Sequence, residues 1–152
     1  MKAVTRSMVI GSILASLVVT QAHAAGHNKL DPNIKYRQDV MEAMSHHFAA
    51  LAAIFTGRVE RPGALKVHAD ALAATAALTG SLFPEGSEGG DALPRVWEEP
   101  DGIQFGANKI KESTANLAAA IAEGDRGTIA KAFKEAGDGC KGCHERYKAE
   151  DE

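Results

Sequence analysis

Apolar residues recur at three- and four-residue spacings along most of this chain, and no stretch shows the period-two alternation of a half-buried strand. The pattern predicts four helices. The first opens at Asp31-Pro32, an N-cap residue followed by proline at the first helical position. It runs through Ile34, Val40, Met41, Met44, Phe48, Leu51 and Phe55 on one apolar face, and Gly57 is its expected stop. The second starts near Pro62 and puts Leu65, Ala69, Leu72 and Ala76 on one side. The third carries Ile103, Ile110, Leu117 and Ile121 and stops at Gly124; the fourth follows Asp125 with Ile129, Phe133 and Ala136. Residues 80–101, GSLFPEGSEGGDALPRVWEEPD, are punctuated by glycine and proline and read as a long connection. Short turns at 57–61 and 124–125 make neighbouring helices antiparallel. The expected fold is all-α, an up-down four-helix bundle with one long crossover between helices two and three.

The N-terminus does not fit this pattern. Lys2 and Arg6 precede a short apolar core at residues 8–19, and Ala22-His23-Ala24 supplies the small residues of a cleavage site. The apolar run is short for a membrane span, and no second one follows. Residues 1–24 are therefore expected to be a cleaved signal peptide, and residues 25–152 a single exported domain placed in the periplasm. Cleavage would remove two of 17 basic residues and none of the 20 acidic ones, leaving 15 against 20 and a net charge near −5. With no basic patch, nucleic acid and anionic membranes are not expected as partners.

Both cysteines lie in GDGCKGCHERYK, residues 137–148. On the continued fourth helix, Phe133, Ala136, Cys140, Cys143 or His144, and Tyr147 recur every three or four residues and share the core-facing side. Helical Cys-x-x-Cys puts two sulfurs one turn apart, which suits thioether bonds to the two vinyl groups of a haem, and His144 follows as the iron's proximal ligand. A structural zinc site would need four ligands, and no second Cys-x-x-Cys or His-x-His pair completes one. A redox dithiol belongs at a strand-to-helix junction, and no strand is expected here. A Cys-His nucleophile would leave the second cysteine unexplained. A disulfide closing so short a loop would constrain the unfolded chain little. One covalent haem c per chain is the expectation.

The sixth position on the iron is not forced. No methionine follows His144; Met41 and Met44 remain in the mature chain and are by default core fillers. His27 falls near the mature terminus, His46 and His47 are adjacent so that at most one turns inward, and His68 flanks the Leu65–Leu72 stripe. An iron left five-coordinate takes a small diatomic gas.

With Lys35-Tyr36-Arg37-Gln38 heading the first helix, Phe83-Pro84-Glu85-Gly86-Ser87-Glu88-Gly89-Gly90-Asp91-Ala92 in the crossover, Trp97 after it and Cys140-Lys141-Gly142-Cys143-His144 near the end, the chain resembles cytochrome c′, the class II c-type cytochromes. The resemblance implies a homodimer of four-helix bundles with a high-spin, five-coordinate haem that binds nitric oxide and carbon monoxide, with a role in nitric oxide scavenging or transport. Carried over by position, Cys140 and Cys143 attach the haem and His144 binds iron. Arg37 and Gln38 line the haem edge, and Met41 lies over its distal face. There an apolar side chain would deny a ligand any hydrogen-bond donor. Glu88 and Asp91, in the crossover, are expected as backbone-capping groups. Lys148 stands where relatives often carry arginine, keeping the charge without the planar fork. No substrate-processing site is evident, so an enzyme is not expected. The competing reading is a low-spin class II cytochrome, an electron carrier to a small redox partner with methionine as sixth ligand. The low-spin branch places its methionine nearer the helix start, about where Tyr36 to Gln38 stand, which favours the open site.

Overall fold

The computed structural model describes residues 31–150. The expected signal peptide and His27 lie outside the described residues. Within them the four helices appear where the periodicity put them, as α1 (Pro32–Phe55), α2 (Pro62–Ala76), α4 (Pro100–Glu123) and α5 (Arg126–Tyr147). The crossover is more ordered than a plain loop. It contains a 3₁₀ turn, Thr79–Ser81, and one short helix, α3 (Arg95–Glu98).

Local chemistry sets the ends. Asp31 caps α1 by accepting the N–H of Asn33 at 2.8 Å, and Asp125 caps α5 by accepting that of Thr128 at 2.7 Å. Helix α4 closes on Gly124, whose φ of 85° suits a residue without Cβ.

Helix α4 packs on α5, α1 on α2, and α2 on α4, while the backbones of α1 and α5 hardly approach one another. At one end the α1–α5 gap is filled by aromatic rings, with Phe133 against Phe48 (centroids 5.1 Å apart) and Phe55 (5.5 Å). Below them lies the main core of Leu51, Leu72, Leu117, Ile121, Ile129 and the small residues Ala69, Ala132 and Ala136. A second, smaller cluster of Val96, Ile103 and Tyr147, with Phe83 and Trp97, sits at the crossover end. The core is thus in two parts, and the space between α1 and α5 opens between them.

The crossover is tied down from three sides. Arg37 of α1 reaches it, Trp97 Nε1 donates to the Pro84 carbonyl at 3.1 Å, and the C-terminal segment pairs with it. In that pairing Leu93 N–H donates to the Tyr147 carbonyl (2.9 Å) and Ala149 N–H to that of Asp91 (2.8 Å). At the same end Glu99 accepts the Tyr147 hydroxyl and Arg146 Nε, both at 2.9 Å, clasping the end of α5 to the start of α4.

Candidate haem-attachment site

The gap between α1 and α5 is a cavity of about 410 Å³, in the size range of cofactor pockets. Cys140, Cys143 and His144 line its α5 side, and Met41, Met44 and Phe48 its α1 side. Leu72 and Thr79 close it from α2 and the following turn, and Gly106, Ile110 and Thr114 from α4. The two cysteines are half-buried, and His144 lies on the exposed rim. A second depression, of about 300 Å³, lies at the α1–α2 turn among Ile54, Gly57 and Val59–Pro62, and carries neither cysteine nor histidine.

Burial pushes both thiols above the ordinary cysteine range, and the nearby Cys143 adds to the effect on Cys140. They are neutral thiols, unlike the lowered-pKa cysteines of redox dithiols or nucleophiles. No group of three or more His, Cys, Asp or Glu able to hold a metal occurs among the described residues, so none of these completes a structural zinc site with the pair. The space beside the pair fits a flat apolar group. A Cβ added at Gly106 would stand 3.5 Å from Cys143 Sγ, and one at Gly137 would stand 3.6 Å from the Phe48 ring, so glycine keeps both walls clear. The donor set and the cavity therefore fit a haem held by two thioethers with an imidazole beside them.

The other expected residues fall in different places. Met41 lines the cavity, and so does Met44. Arg37 and Gln38 do not. Arg37 is only 4% exposed, and its guanidinium donates to the Ser87 carbonyl (3.0 Å), Ser87 Oγ (3.2 Å) and the Gly89 carbonyl (2.8 Å). Its guanidinium carbon lies over the rings of Phe83 and Trp97, 5.3 and 5.5 Å from their centroids. Burial lowers its pKa, opposed by Asp91, Asp31 and Glu88. Glu88 accepts the Gly86 N–H at 3.4 Å, a long bond, and the Asp91 carbonyl receives Ala149. Gln38 packs beside Gly90, where φ is 61° and a Cβ would come within 2.9 Å of Ile34 and 3.2 Å of Gln38 Nε2. Of the histidines, His46 is exposed, while His47 turns to α2 and places Nδ1 3.0 Å from Nδ1 of His68. Neither member of that pair lines the cavity.

The match to known proteins decides what this arrangement belongs to. A family model described as Cytochrome C' matches residues 32–148, which takes in all four long helices and the Cys-x-x-Cys-His motif. The chain belongs to the cytochrome c′ family. That family binds haem c, the group the two thiols and the cavity fit. Among curated relatives, the chain is 30% identical over 121 residues to cytochrome c′ of Alcaligenes xylosoxydans xylosoxydans, covering 79% of this chain and 95% of that one. It is 33% identical over 118 residues to that of Pararhodospirillum photometricum (76% and 94% covered). It is also 30% identical over 145 residues to cytochrome c-554 of Cereibacter sphaeroides (90% and 93% covered). Among solved structures, it is similar to a ferrous variant of cytochrome c prime from Alcaligenes xylosoxidans with bound NO. The TM-score is 0.74 at 29% identity, with 82% of this chain and 98% of that one covered. A carbon monoxide-bound variant of the same protein gives 0.74 at 28%, with 81% and 98% covered.

Sequence reasoning missed Thr79 and Gly106 in the cavity wall. Neither carries a local signal, because a threonine after a helix and a glycine inside one are read as a turn residue and a weak helix former.

Proposed function

We propose that this cytochrome c′ is a periplasmic, non-enzymatic gas-binding protein whose haem iron is five-coordinate and takes nitric oxide and carbon monoxide, with scavenging or transport of nitric oxide as its role. The observation that carries the reading is the two-sided cavity, with Cys140, Cys143 and His144 on α5 facing Met41, Met44 and Leu72 across the bundle. When bound, the haem would supply an iron able to take an imidazole and a small ligand. Cys140 and Cys143 would hold it, each S–H adding across a vinyl double bond, and His144 would supply the imidazole. Met41 and Met44 would exclude water and limit the ligand's size. Arg37, one turn before Met41 with Gln38 beside it, would set a positive charge at the haem edge, held in place by the crossover carbonyls it already binds. Glu88 and Asp91 would keep that crossover shaped.

The structures with bound NO and CO are of another family member, and they support the ligand class proposed here. The signal-peptide pattern of residues 1–24 supports the periplasm, and no helix among the described residues is long and apolar enough to cross a membrane. A homodimer is proposed along α1 and α2, where Tyr36 and Val67 are more than half exposed.

A second reading has an observation of its own, since both methionines line the cavity. A thioether on the iron would make the protein a low-spin electron carrier to a small redox partner. The absorption spectrum of the ferrous protein separates the two. The open site gives a broad high-spin spectrum, binds carbon monoxide directly, and binds it faster in Met41→Ala, where only steric displacement is relieved. A low-spin spectrum that Met41→Ala converts to high-spin would assign methionine as the ligand and refute the open site.

A further inference from the structure

Three hydroxyl side chains line the cavity outside α5: Ser45 is exposed, Thr114 donates to the Ile110 carbonyl, and Thr79 is buried. Thr79, which opens the 3₁₀ turn after α2, lines the cavity and is 5% exposed, and its hydroxyl has no hydrogen-bond partner among the described residues. Helical threonines usually give their hydroxyl to the carbonyl four residues back. Thr75 and Thr114 do so here, donating to Ala71 (2.7 Å) and Ile110 (2.8 Å). For Thr79 that carbonyl belongs to Thr75, and it takes the N–H of Leu78 instead. A buried hydroxyl left unpaired disfavours the fold, and valine has the same shape without it. The position has a further property. Helix α2 packs on α1 and α4, not against α5, so Thr79 lies across the bundle from Cys140, Cys143 and His144. A haem attached to α5 leaves that side for the gas.

We infer that Thr79 is a specificity-determining residue, its hydroxyl donating a hydrogen bond to the terminal atom of the diatomic gas held in the cavity. The inference rests on the haem reading above, and it departs from the sequence expectation of a wall with no donor. Met41, Met44 and Leu72 select for size, whereas the buried, unbonded hydroxyl of Thr79 selects for the ligand whose outer atom accepts a hydrogen bond. The hydroxyl is already dry and fixed on the backbone of a short turn, so little ordering is needed when the gas arrives.

The test is the infrared C–O stretch of the ferrous carbon monoxide complex in the wild-type holoprotein, Thr79→Val and Thr79→Ser. A donor at the carbon monoxide oxygen lowers the stretch, so valine should raise it and serine should keep it near the wild-type value. Carbon monoxide should leave Thr79→Val about fivefold faster, the factor that one net hydrogen bond supplies. Without carbon monoxide, Thr79→Val should unfold at an unchanged or higher denaturant concentration, because the hydroxyl it removes has no partner. Identical stretches in the three proteins would overturn the inference. So would a loss of stability in carbon monoxide-free Thr79→Val with an unmoved stretch, since the hydroxyl would then serve another group. In both cases the haem reading stands as long as the protein carries haem and binds the gas. A purified protein without covalent haem would overturn both.

Discussion

Arg37→Met tests whether the guanidinium is the clamp that holds the crossover. The substitution keeps the aliphatic stem and removes the charged fork. The fork's bonds to the Ser87 carbonyl (3.0 Å) and the Gly89 carbonyl (2.8 Å) are lost, each worth about 1.5–3 kcal/mol when the donor is charged. Ser87 is completely buried, so water cannot replace the donor there, although its hydroxyl keeps the Pro84 carbonyl at 2.7 Å. The two aromatic contacts, with Phe83 and Trp97, add about 0.5–1 kcal/mol each. Against this stands the cost of keeping a guanidinium out of water, which methionine relieves. The net expectation is a loss of about 2–4 kcal/mol. Arg37→Lys, with charge but no planar fork, should fall between the two proteins. Urea unfolding of the holoprotein followed by circular dichroism measures the loss. Fluorescence of Trp97, the single tryptophan of the chain, reports the crossover directly, since its Nε1 is bonded to Pro84. A loss below about 1 kcal/mol, or a lysine variant no better than the methionine one, would refute the clamp.

Covalent attachment predicts that acid-acetone leaves the haem on the polypeptide and that replacing Cys140 and Cys143 by alanine releases it; free extraction from the wild type would contradict this. Gly102→Ala should be destabilising by about 1–3 kcal/mol, because its Cβ would stand 2.1 Å from the Tyr147 hydroxyl and break the clasp to Glu99; an unchanged denaturant midpoint would reject that packing. The same clasp sets a pH dependence. Hydrogen bonds from Tyr147 and then Arg146 hold the Glu99 carboxyl below its ordinary value, so its stabilisation is present above about pH 4.3 and is lost as pH falls through the lower folded value. Glu99→Gln should flatten that part of the acid limb, and an unaltered limb would count against the assignment. Light scattering at micromolar concentration should give about twice the chain mass, and a monomer throughout would exclude the dimer.

The helices were legible because their signals are local. Asp31-Pro32 and Asp125 start helices by bonding within three residues, Gly124 ends one by its own φ, and Ala69, Leu72 and Ala76 of α2 and the stripe of α4 are buried as their spacing predicts. Cys140-x-x-Cys143-His144 was legible for the same reason, since its chemistry fits within two turns of one helix. Other features could not be read from the chain, because they depend on residues far apart in sequence. Arg37 meets carbonyls about fifty positions away, and only the folded crossover shows that its fork is bonded to Ser87 and Gly89. His47 and His68 look like independent candidates until α1 and α2 pack and bring their rings together. Thr79 becomes an unpaired donor only because Leu78 takes the carbonyl behind it while α1, α2 and α4 shut out water. Periodicity decides which face of each helix is turned inward. Where α1 and α5 stand apart, and which polar atom is left facing that space, follows from how all four helices fill a common volume, a property no single segment carries.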